Sequence, residues 1–265
     1  MKALTQDQVQ FFNENRYLVK SDLVSAEYLE LYNTCINKLT KKAIAEQIYA
    51  TQNKLPYSSA DSYPVYLQSM YGRFPRPRKI EQIRGYLPDI EPAYAAIQEH
   101  VESLIGPAYL YKDRVVLKYP RSPGIGTHSD DVNNIDLIDR VVVVGLCLTE
   151  QTIENGCLEV YDVHAVANMA AAKGCDAPCM TGDPCVCIGD GTREDTYKSS
   201  KFFKKIETKP GDIIFMEGDL LHQSDENRSK KLRTIAYTLW NEKAQGDHYA
   251  KYYSHMEKIK QGNEV

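Results

Sequence analysis

The chain of 265 residues has no excess of either charge, no long apolar run, no internal repeat and no even set of cysteines. Each absence removes a class of function. The 32 Lys and Arg residues stand against 36 Asp and Glu, a formal net charge of -4, so nothing draws the protein to nucleic acid or to an anionic membrane. No stretch is apolar for long enough to cross a bilayer, and the opening Met1 to Gln8 is too polar for a secretory core. A soluble, cytoplasmic protein is therefore expected, with no membrane or nucleic-acid partner and a monomer as the default. Seven cysteines is an odd number, which argues against a fully paired extracellular framework and for reduced thiols. The composition that remains, 43% hydrophobic and 26% charged, is that of an ordinary globular chain, and its length suits one large domain.

What is present divides into a helical first part and a strand-rich second part. Thr5 to Gln8 has the form of a capping box ahead of an amphipathic helix that reaches Tyr17, and Tyr17 to Val19 reads as a short strand. Apolar residues from Tyr28 to Leu39 recur at helical spacing within 25–48, and a further helix over 93–104 stops at Gly106-Pro107. Residues 1–107 are thus expected as a helical cover. Strands are predicted over 114–119, 140–148, 157–161, 212–216 and 232–240, separated by turn signals such as Asn155-Gly156 and Pro210-Gly211. That pattern predicts a sandwich or barrel over 108–241, interrupted by a long polar insert at 162–203 and followed by a polar, partly helical tail at 242–265.

The chemistry centres on His128-Ser129-Asp130. On an extended segment alternate side chains share a face, so His128 and Asp130 point together and Asp131 points away. Two imidazoles and one carboxylate bind a ferrous ion from one side, and His222 is the candidate for the second imidazole. A polar strand end and a loop histidine are the plainer readings of the same residues. Arg233 adds weight, because it opens the apolar run Leu232 to Trp240, and a cation buried there needs a partner. An organic carboxylate held by the guanidinium fork would supply one.

The run His222-Gln-Ser-Asp-Glu-Asn227-Arg-Ser229-Lys-Lys-Leu-Arg233, with His128-x-Asp130 upstream, resembles the phytanoyl-CoA dioxygenase family of iron(II)- and 2-oxoglutarate-dependent oxygenases. The opening helix and strand over 4–19 and Asn155-Gly-Cys-Leu158 are similar to further elements of that family. The resemblance implies a mainly β fold, a cupin-like double-stranded β-helix (jelly-roll) barrel with N-terminal helices. It implies Fe(II) on His128, Asp130 and His222, and 2-oxoglutarate and O2 as co-substrates, with the distal carboxylate of 2-oxoglutarate on Arg233. Ser224 or Thr127 would assist, and Lys118 and Tyr119 lie where the family places residues near the co-substrate, although a solvated lysine on a strand face fits Lys118 equally. The chain departs from the family after its Asn-Gly strand: Tyr161-Asp-Val-His164 replaces a Pro-Gly-Ser-His turn, so His164 is read as structural or substrate-facing. Some relatives are halogenases in which a small residue replaces the metal-binding carboxylate; Asp130 disfavours that chemistry here.

The expected reaction is oxidation of an unactivated C–H bond, by hydroxylation, desaturation or oxidative ring closure, on a small, carboxylate-bearing metabolite or natural-product intermediate. Arg73, Arg76 and Arg78 lie in a basic-aromatic patch over 70–79 that reads either as an exposed, Pro-stiffened loop or as an anion grip at the active-site mouth. A fatty acyl-CoA substrate is the alternative within the class. A catalytically silent jelly-roll binding module and a zinc hydrolase using the same three ligands are the alternatives outside it. The cluster Cys175, Cys179, Cys185 and Cys187 lacks the paired Cys-x-x-Cys spacing of a zinc knot, which favours a lid with free thiols over a metal site or disulfides.

Overall fold

A computed structural model describes residues 3–21, 23–56, 63–68, 76–130, 138–164 and 202–260. The order of elements is α1 (Gln6–Asn15), β1 (Tyr17–Lys20), α2 (Ala26–Gln52), β2 (Val65–Gln68), β3 (Arg76–Glu81), α3 (Ile83–Tyr86), α4 (Glu91–Ile105), β4 (Ala108–Lys118), β5 (Ile125–His128), β6 (Val141–Cys147), β7 (Leu158–Tyr161), β8 (Phe203–Ile206), β9 (Ile213–Glu217), β10 (His222–Ser224), β11 (Arg233–Glu242) and α5 (Tyr249–Lys260). The capping box closes in both directions, with the Thr5 side chain accepting from the Gln8 backbone and the Gln8 side chain accepting from Thr5. Gly106 ends α4 at φ 75°, a conformation that favours glycine.

The strands form two antiparallel sheets, a seven-stranded one in the order β1-β9-β6-β11-β4-β3-β2 and a four-stranded one in the order β5-β10-β7-β8. The jelly roll expected from the sequence is consistent with this arrangement, left unclosed at its edges. The predicted helical cover needs correction: besides the expected β1, strands β2 and β3 fall within residues 1–107, and the three extend the large sheet at both ends. The shortness of β2 and β3 and the prolines around β3 hid those two strands, since Pro77 gives no ladder donor and the β2–β3 register shifts beside it. The exposed-loop reading of the 70–79 patch therefore fails over 76–79, which belong to β3.

Strand β6 shows why the valine run does not alternate. Val142, Val144 and Leu146 pack into the core beneath the helices, and Val141, Val143 and Cys147 pack into a second core between the sheets. A strand covered on both faces has no polar face to display. Strand β9 divides in the same way, Ile213 and Phe215 on one side and Ile214 and Met216 on the other. The large sheet is thus a rigid middle layer, and the small sheet lies against it.

Most of the 162–203 insert, including the four-cysteine cluster, lies outside the described residues, as do Arg73 and Asp131. Among the described residues, no helix is long and apolar enough to cross a membrane.

Candidate metal centre and co-substrate pocket

Strand pairing, rather than chain proximity, builds the site. His222 on β10 stands opposite His128 on β5, and their rings lie 4.2 Å apart between centroids. Strand β5 ends at His128, so Asp130 sits just past the alternation that predicted its direction. It is fixed instead by its backbone N–H, which donates to the Gly218 carbonyl at 2.8 Å. Gly218 in turn donates to the Val141 carbonyl at 2.7 Å, and a Cβ there would sit 2.9 Å from that oxygen, so the loop can approach β6 only with glycine.

One ligand atom from each of His128, Asp130 and His222 falls within 4.8 Å of the others. The two rings are oriented alike. Nδ1 of His128 lies 2.8 Å from the Gly126 carbonyl and Nδ1 of His222 lies 2.9 Å from the Leu220 carbonyl. A carbonyl only accepts, so each Nδ1 carries a proton, and in the neutral ring Nε2 is then the atom with the lone pair for a metal. Asp130 is 3% exposed; its Oδ1 accepts from Arg114 at 3.2 Å, and its Oδ2 is buried with no hydrogen-bond partner. A buried carboxylate oxygen without a donor is costly unless something cationic meets it. Burial pushes the Asp130 carboxyl up, but the cationic charge around it, the Arg114 guanidinium first, outweighs it and holds the group below the usual carboxylate range. Burial lowers His222, more than Asp130 raises it, and keeps its imidazole neutral. These residues fit a divalent metal.

The predicted co-substrate residues gather nearby. Arg233, 2% exposed, pairs in register with Lys118 across β11 and β4, and its Nε donates to Gln151 Oε1. Lys118 is 3% exposed, which removes the reading of a solvated lysine. Its ammonium donates to Ser224 Oγ at 2.9 Å, to the Gly156 carbonyl at 3.4 Å and to the Asp225 carbonyl. Burial, with Arg233 adding repulsion, pushes Lys118 down to about 7. Gly156, at φ 70°, packs directly against the Asp225 carbonyl and the Lys118 ammonium, so the Asn155-Gly156 turn helps shape this pocket.

Other expected residues fall elsewhere. The Thr127 hydroxyl donates to Gln223 Oε1 at 2.7 Å, and Gln223 donates to Glu159 at 2.8 Å; alternation puts Thr127 on the side of β5 away from His128. Thr127 thus ties β5, β10 and β7 together. Arg76 is exposed, with its guanidinium 5.4 Å over the Tyr119 ring, whereas Arg78 lines a cavity shared with His128. His164 is exposed, and its backbone N–H donates to Asp162 at 3.1 Å. Arg114 and Gln151 were missed in the sequence. Alternation along β4 from Lys118 through Val116 would have put Arg114 on the pocket side; nothing in the sequence singles out Gln151, which lies between strands.

Two imidazoles and a carboxylate brought together on a jelly roll are the ligand set of a non-haem iron centre. The phytanoyl-CoA dioxygenase (PhyH) family profile matches residues 12–235, and the chain belongs to that family. The family takes its name from a dioxygenase. A phytanoyl-CoA dioxygenase of Arabidopsis thaliana is 26% identical over 274 residues, covering 94% of this chain and 92% of that protein. A methylphosphonate hydroxylase of Gimesia maris is 25% identical over 183 residues, covering 68% of this chain and only 64% of that protein. The structure of EctD from S. alaskensis with 2-oxoglutarate and 5-hydroxyectoine superposes with a TM-score of 0.62 at 18% identity, over 91% of this chain and 77% of that one, which supports the fold.

Proposed function

We propose that His128, Asp130 and His222 hold Fe(II), that Arg233 binds the distal carboxylate of 2-oxoglutarate, and that the chain acts as one oxygenase unit. The observation that carries this reading is the unpartnered Asp130 Oδ2 beside two histidines whose Nδ1–H groups are tied to backbone carbonyls, leaving Nε2 for a metal. Bound iron supplies the centre at which 2-oxoglutarate and O2 react, yielding succinate and carbon dioxide and oxidising a substrate C–H bond. The protein's own part is to fix and tune. Arg114 holds one oxygen of Asp130 and keeps the carboxylate ionised, while Gly126 and Leu220 set the tautomers of the two rings. Arg233, steadied by Gln151, offers its guanidinium to a carboxylate, and Lys118, its register partner on β4, bonds Ser224. Thr127, through Gln223, holds the strands that bring the histidines together.

The substrate in this reading is a small, carboxylate-bearing metabolite, oxidised by hydroxylation, desaturation or ring closure. The methylphosphonate hydroxylase relative, named for a small anion, supports a compact acidic substrate. A fatty acyl-CoA is the second reading, favoured by the near full-length match to the Arabidopsis phytanoyl-CoA dioxygenase.

Anaerobic addition of Fe(II) and 2-oxoglutarate tests the centre. A weak visible charge-transfer band is expected, and its absence with iron demonstrably bound overturns the co-substrate assignment. Candidate small acids and acyl-CoA thioesters are then ranked by how they perturb that band. Failure of every candidate to stimulate 2-oxoglutarate consumption would favour a silent binding module.

A further inference from the structure

A cavity of about 450 Å³ opens beside His128, walled by β2, β3, β4 and β5. Its lining includes Tyr66, Arg78, Lys79, Arg114 and His128, and among the described residues no carboxylate lines it. Lys79 is already matched: its ammonium lies 2.7 Å from Glu81 and 4.7 Å over the Tyr66 ring. Arg114 is matched only in part. One terminal nitrogen donates to Asp130 at 3.2 Å, while Nε is buried with no hydrogen-bond partner. The Tyr237 ring, 5.7 Å from its Cζ, braces the guanidinium from the neighbouring strand.

We infer that this cavity is an anion site in which Arg114 and Arg78 take the acidic group of the substrate, a compact oxyanion of the carboxylate, phosphonate or phosphate class. The inference rests on the oxygenase reading above and moves the anion grip from the exposed Arg76 to the half-buried Arg114. The reasons are electrostatic and geometric. Alternation along β4 puts Lys112, Arg114 and Lys118 on one face of the strand, and Arg233 adjoins Lys118 in register. The carboxylates within reach of Arg114 are Glu81, held by Lys79, and Asp130, which a metal engages when bound. 2-Oxoglutarate on Arg233 and Lys118 uses its charge there, and Arg114 and Arg78 line the space beside His128. A planar fork with an unused N–H matches an oxyanion, and it does so on the same residue that fixes Asp130. An acid anchored on Arg114 is thereby held next to the metal ligands, so the carbon oxidised lies close to the acidic group.

The test is anaerobic calorimetry on the full chain loaded with Fe(II) and 2-oxoglutarate, titrated with inorganic phosphate, propionate and uncharged propionamide. Phosphate or propionate is expected to bind, and propionamide at least about tenfold more weakly, since a hydrogen bond to a charged group is lost. Arg78→Gln and Arg114→Gln are each expected to weaken anion binding about tenfold. A stronger response to phosphate assigns a dianion, and a stronger one to propionate a monocarboxylate. Equal binding of propionate and propionamide, or anion binding unchanged in Arg78→Gln, overturns the inference. Arg78→Gln decides alone if Arg114→Gln does not fold. The visible band separates the two levels: its absence counts against the oxygenase reading, whereas a normal band without anion binding counts against the anion site only.

Discussion

Two buried aspartates, both within or just beyond the strands around the pocket, have opposite settings. Asp113 on β4 is 1% exposed and uses every acceptor it has: Oδ2 accepts from the Arg84 backbone at 2.7 Å and the Tyr94 hydroxyl at 2.9 Å, and Oδ1 from Tyr249 and Tyr253 at 3.0 Å each. Those donors come from α3, α4 and α5, so one carboxyl pins three helices to the sheet. None of its donors is a cationic side chain, and burial pushes the group above the usual carboxylate range. Asp130 leaves Oδ2 without a donor and is held low by the Arg114 guanidinium despite its burial. A carboxylate that spends all its acceptors on neutral donors is a fastener. One that keeps an oxygen in reserve among charged groups is available for a ligand.

The largest expected effect lies on the Asp130 side. Asp130→Ala should abolish substrate oxidation and iron retention while the far-ultraviolet spectrum stays that of the wild type; metal content after desalting reads this directly, and full iron occupancy would break the contrast. Asp113→Ala should do the reverse. It leaves several donors unsatisfied and should cost about 3 kcal/mol or more, a melting point lower by about 6–12 °C, with iron content per folded molecule unchanged. Arg233→Gln comes next, raising the 2-oxoglutarate dissociation constant about 10- to 100-fold as read from the visible band, because a charged hydrogen-bond pair is lost. An unchanged constant would move the co-substrate onto Lys118.

The smallest effect is on pH dependence, and the two aspartates should differ in sign. Asp113 has a raised folded pKa, so its contribution is full below the unfolded value and is lost as pH rises through the folded one. Asp113→Asn should therefore make stability rise more steeply with pH just above the ordinary carboxylate range. Asp130 has a lowered folded pKa, so its contribution is present above the unfolded value and is lost as pH falls through the folded one. Asp130→Asn should flatten the acid limb of metal-free protein instead. Denaturant titrations at several pH values check both, and slopes of the same sign would mean that the two environments are not distinct.

Much of the fold could be read from local patterning. The capping box, the helix stop at Gly106 and the long apolar strands β6, β9 and β11 all follow from residue type and spacing. The strands that were missed, β2, β3, β5, β8 and β10, run from three to six residues, too short for a period to show. The site divides in the same way. His128, Asp130, His222 and Arg233 were visible because their residue types are chemically specific, whereas Arg114 looked like the start of an ordinary strand and Gln151 like any loop amide.

By itself, the sequence determined the inventory: which donors exist, that a cation sits in an apolar strand, and that a carboxylate follows a histidine by two. Only the tertiary structure decided their roles. It set His222 opposite His128, brought Gly218 under Asp130, and buried Lys118 beside Arg233, because strand register and backbone hydrogen bonds fix positions that residues far apart in the chain cannot specify alone. The same packing made one aspartate a pin and left the other with a free oxygen, a difference set by which neutral or charged groups the fold places around each carboxyl.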